Sequence, residues 1–109
     1  MIVRYKGDVS MSKLKDVWKY FSTPEAVRAL IHDYETRRED ADELDSCEDT
    51  AYYAFSDAKY ARFNGVRLPV ACFYDDSLFC RFLGAVIDGD VDRAVSFARE
   101  LFQEAKSVA

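Results

Sequence analysis

SLFCRFLGAVIDGDVDRAVSFARELFQEAKS, residues 77–107, decides the fold. Leu78, Phe79, Phe82, Leu83, Val86 and Ile87 recur at helical spacing, and Ser77 stands where a helix cap belongs. Beyond Asp88-Gly89, residues Val91, Ala94, Val95, Ala98, Leu101, Phe102 and Ala105 repeat at threes and fours, with Asp90 as the cap. The pattern predicts two amphipathic helices folded into a hairpin at the Asp88-Gly89 turn. Each carries an apolar stripe that needs covering, so further helices should pack against them.

The upstream chain supplies them. In SKLKDVWKYF, Leu14, Val17, Trp18 and Phe21 fall on one helical face, and Ser12 is the expected cap. The next segment places Ser22 and Glu25 at capping-box spacing, with Pro24 in the first turn, where a missing amide hydrogen does least harm. Its stripe of Val27, Leu30, Ile31, Tyr34, Ala41 and Leu44 weakens at Arg38. The helix therefore stops near residue 39 or continues to about residue 44. Ser46 and Asp49 open another helix, whose apolar face is Ala51, Tyr52, Phe55 and Ala58, broadened by Tyr53, Tyr60 and Phe63. Asn64-Gly65 ends it.

Two short stretches read differently. Residues 2–6 and 66–74 have strand-like composition, but Pro69 excludes a central strand. They either pair as a minor two-stranded β element, or residues 66–74 form a packed irregular link. The expected fold is mainly α: a compact single-domain bundle of about five helices spanning residues 1–109. A chain of 109 residues can bury about two thirds of its extended surface. A core without metal or disulfide staples is therefore feasible.

Charge is uneven. The chain carries a net −5, yet residues 33–49 alone carry −7, against +3 for residues 1–32 and −1 for residues 50–109. Such a block disfavours direct nucleic-acid binding near itself, although Arg4, Lys6, Lys13, Lys15 and Lys19 make a basic N-terminal region. Three cysteines, Cys47, Cys72 and Cys80, form no C-x-x-C pair and fit a reducing compartment, so a cytoplasmic location is expected. The most apolar run, LFCRFLGAVI, is too short to span a bilayer.

Chemical motifs are sparse. His32 is the only histidine, and with Glu35 one turn away it gives two ligands and no further metal pattern. DGDVDR, residues 88–93, departs from a calcium loop at Arg93 and Arg99, and helix capping explains its acids better. Asp75-Asp76 lacks an organising base, Cys72 and Cys80 lack a nucleophile context, and the four isolated glycines make no phosphate loop. The sequence assigns no catalytic, cofactor-binding or metal residue.

What remains is the adjacency of carboxylates and aromatic rings. Glu39, Asp40, Asp42, Glu43, Asp45, Glu48 and Asp49 supply attraction for a basic surface, and Tyr52, Tyr53 and Tyr60 supply contact area. The functional expectation is a noncatalytic intracellular protein-binding domain, such as a small inhibitor or adaptor, with a basic protein partner. The competing classes are a helical oligomerisation or structural module, in which LFCRFLGAVI mediates self-association, and a nucleic-acid mimic or small enzyme.

Overall fold

The computed structural model describes residues 14–108, of which the side chain of residue 108 is left aside. Within them the chain forms five α-helices and one 3-10 turn: α1 (residues 14–21), α2 (Pro24–Glu39), α3 (Cys47–Phe63), the turn Val70–Phe73, α4 (Leu78–Ile87) and α5 (Val91–Val108). The fold is a helical bundle. The expected Ser12 cap and the strand at residues 2–6 lie outside the described residues.

The α4–α5 hairpin follows from its turn chemistry. Ser77 Oγ accepts the amide hydrogen of Cys80 and starts α4. At the other end, Asp90 N donates to Ala85 O at 2.9 Å and Gly89 N donates to Val86 O at 3.1 Å. This doubled closure needs a left-handed residue, and Gly89 takes φ 70°. Asp90 Oδ1 then accepts from Arg93 N and opens α5, while the Arg93 guanidinium reaches back to Asp88 at 3.2 Å. The short turn brings the stripe of α4 directly against Ala94, Val95, Ala98, Leu101 and Ala105 of α5.

Helices α2 and α3 complete the bundle, and α1 closes it with aromatic weight. Trp18, 1% exposed, stacks on Phe55 at 5.4 Å and meets Phe79 and Phe82 edge-on at 6.0 and 5.6 Å. Phe21 joins the same group through Phe55 and Phe82. Three helices, α1, α3 and α4, therefore meet in one ring cluster, where burial of large apolar area and favourable ring geometry act together.

One sequence expectation changes here, and two open alternatives are decided. Thr23, not Ser22, caps α2: its backbone is extended and its Oγ1 accepts from Ala26 N, whereas Ser22 Oγ donates back to Lys19 O at the end of α1. Helix α2 ends at Glu39, so Leu44 leaves the apolar stripe and stands 97% exposed in the following loop. The possible strand at 66–74 is absent and the alternative, a packed irregular link, is found; no strand occurs among the described residues. Pro69 has no amide hydrogen to give a ladder, and the next amides are satisfied locally: Cys72 N donates to Pro69 O and Tyr74 N to Ala71 O. Val66 and Cys72 anchor this irregular link in the core, and Lys59 Nζ donates to Val66 O. LFCRFLGAVI is core-facing: Phe79, Phe82, Leu83, Ala85 and Val86 are all buried.

Candidate acidic–aromatic surface

The loop between α2 and α3, residues 40–46, is held by polar contacts rather than apolar ones. Arg38, in the last turn of α2, donates from one nitrogen to Asp45 O and to Thr50 Oγ1, each at 3.1 Å. Asp45 Oδ2 accepts from Asp42 N, and Asp45 N donates to Asp42 O, which closes a tight turn. Ser46 Oγ caps α3 by accepting from Asp49 N. Below the loop, Tyr34 is buried, and burial first, then the neighbouring Cys47 thiol, pushes its phenol up to about 12. These contacts fix the backbone on which the acids stand.

A cleft of about 410 Å3 opens between the helices, lined by Arg37, Asp40, Asp45, Asp49, Thr50 and Tyr53 together with Ala41. Both arginines of the acidic block are engaged elsewhere. Arg38 serves the loop carbonyl and Thr50, and Arg37 pairs with Asp57 at 2.5 Å. Among the described residues, no lysine or arginine lies within ion-pair distance of Asp40, Asp45 or Asp49. Among the described residues these three carboxylates are therefore not neutralised by a direct ion pair, although the Arg37 guanidinium shares the cleft and Arg38 adjoins it.

Tyr53 is the hinge of the surface. It is 59% exposed and lines the cleft, and its ring also meets Tyr52 at 5.4 Å in a T-shaped contact. Tyr52 is half-buried and touches Phe73 of the 3-10 turn at 5.8 Å; Phe73 is 49% exposed and leans on core Phe79 at 5.9 Å. Val70 and Tyr74, beside Phe73 in the chain, are exposed too. An aromatic ridge thus runs from the acidic cleft to the link after α3, with its inner rings seated on the core.

The sequence-derived residues divide accordingly. Asp40, Asp45, Asp49 and Tyr53 come together in the cleft, and Tyr52 adjoins it through Tyr53. Glu39, Asp42, Glu43 and Glu48 are exposed around it without lining it. Tyr60 is exposed two turns further along α3, roughly 10 Å from Tyr53 by helix rise, and is not part of the cleft. Sequence reasoning missed Arg37 and Phe73. The aromatic pair Phe73-Tyr74 was visible, but its direction depended on recognising the turn that Pro69 starts.

His32 is exposed, and among the described residues no group of three His, Cys, Asp or Glu side chains converges as a metal site. No helix among them is long and apolar enough to cross a membrane. Comparison with protein-family models, curated proteins and solved structures gives no match, so the functional reading rests on the chemistry of the surface itself.

Proposed function

We propose that this chain is a noncatalytic protein-binding domain, acting as a small inhibitor or adaptor, whose acidic–aromatic surface captures a basic segment of a partner protein. The observation that carries this reading is the double role of Tyr53. One side chain borders three carboxylates that make no direct ion pair among the described residues, and also begins a ridge of partly exposed rings. A lysine or arginine of the partner would find carboxylates and a ring face together, and neighbouring apolar side chains would lie along Tyr52 and Phe73. Charge would set the rate of encounter, and the rings would set how long the complex lasts.

The test is quantitative partner capture with three forms of the chain: unaltered, Asp40→Asn/Asp45→Asn/Asp49→Asn, and Tyr53→Ala. Both variants should lose the same partner by about tenfold or more, since removing a central aromatic contact or a desolvated charge set costs 1.4 kcal/mol or more, roughly. Capture by the unaltered chain should weaken as salt rises. Undiminished capture by the triple variant sinks the proposal.

A further inference from the structure

A second cleft shares no lining residue with the acidic one. Its volume is about 350 Å3, in the lower part of the roughly 300–1,000 Å3 that small-molecule sites occupy. Leu14 and Trp18 of α1 face Leu101 and Ala105 of α5 across it, and the 3-10 turn contributes Cys72. All five are buried, whereas Pro69 and Glu104 are exposed at its margin. A smaller cavity of about 110 Å3 borders the same Pro69, Cys72, Leu101 and Glu104, so the slot has an annex beside Ser77 and Leu78.

The lining dictates the chemistry that fits. Among the described residues, the walls offer apolar surface, a weakly polar thiol and a single carboxylate, with no lysine or arginine. We propose that the slot is a binding site for a small monocationic amphiphile, whose apolar body lies between Trp18 and Leu101 and whose ammonium group meets Glu104. An anionic amphiphile of the same shape would bring two carboxylates together at the margin of a poorly solvated slot, where like charges repel most. The closeness of Glu104 to the interior has an independent sign. Burial pushes the Cys72 thiol up to about 11, and the Glu104 carboxylate is the next contributor in the same direction.

Trp18 is the only tryptophan of the chain and a wall of the slot, so it reports occupancy directly. The experiment titrates the full chain with n-octylammonium and, separately, n-octanoate at neutral pH, following Trp18 emission. A saturable change with octylammonium, at an affinity about tenfold above that for octanoate, is expected. Glu104→Gln should weaken octylammonium by about threefold, the size of an exposed ion pair, and improve octanoate. Ala105→Leu, which extends a side chain into the slot, should abolish the response. If that variant folds poorly, Glu104→Gln alone decides, because Glu104 is exposed. Equal affinities for the two probes overturn the proposal, as does an octylammonium affinity unchanged by Glu104→Gln. The absence of a saturable response, as when residues 1–13 or a second copy of the chain fill the slot, overturns it too.

Discussion

The α4–α5 hairpin and the α2–α3 pair solve the same problem, two antiparallel helices joined by a turn, in opposite ways. The first reverses the chain within Asp88, Gly89 and Asp90, with glycine in a left-handed conformation and backbone bonds closing the end of α4. Its apolar residues are almost all interior. The second takes seven residues, 40–46, leaves Leu44 97% exposed, and relies on Arg38 and two aspartates to shape the loop. Packing alone does not require a loop of that length or charge. The contrast separates a turn that serves the core from one that serves the surface.

Measurements can break this distinction or sharpen it. The largest effect belongs to the hairpin side. Phe82 is fully buried and contacts Trp18, Phe21 and Phe55, so Phe82→Ala should cost about 3–5 kcal/mol in denaturant unfolding. A loss below 1 kcal/mol, roughly, would mean that the cluster is not the centre of stability.

Gly89→Ala comes next, at about 1–2 kcal/mol, since an L side chain must adopt φ 70° there. A neutral result would show that the turn can relax into another geometry.

On the other side, Tyr34 makes the seat of the acidic loop pH-dependent. Its folded value of about 12 lies above the ordinary phenol value of 10.0, so the folded state holds the proton more tightly. The stabilisation is complete below pH 10 and fades as pH rises toward 12. Unfolding at pH 9 and pH 11 should show a loss of about 1 kcal/mol that Tyr34→Phe removes. Cys72, raised from 9.0 to about 11, contributes a loss of the same sign at slightly lower pH, and this remains in the variant. An unchanged pH profile in Tyr34→Phe would detach Tyr34 from the effect.

The smallest effect is Leu44→Ser. With the side chain 97% exposed, stability should move by less than about 0.5 kcal/mol. A marked loss in thermal melts would place Leu44 in a contact that the described fold does not give it.

The same contrast explains what could be read from the residues alone. Helices α3, α4 and α5 were accessible because periodicity, caps and stop signals agree: Ser46, Ser77 and Asp90 all cap where their spacing predicts. The α2 start was displaced by one residue because Ser22 and Thr23 are both good caps, and their choice depends on how α1 ends. Continuation of the stripe to Leu44 failed because periodicity records residue type, whereas Arg38 turns toward Asp45 O and Thr50. The β-like composition of residues 66–74 was outweighed by Pro69 and by locally satisfied amides. At the candidate surface, the charge block was plain from composition. The grouping of Asp40, Asp45 and Asp49 with Tyr53, and the exclusion of Tyr60, needed the loop geometry. Phe73 is a residue from a distant segment, and no local pattern announces that it will touch Tyr52.

The position of Arg38 has a thermodynamic consequence. A side chain that grips both the loop carbonyl and Thr50 has already removed much of the freedom that residues 40–46 would otherwise surrender on association. Docking onto that loop should therefore show a small entropic penalty in calorimetry, and releasing the grip should lower affinity even though Arg38 itself touches no ligand.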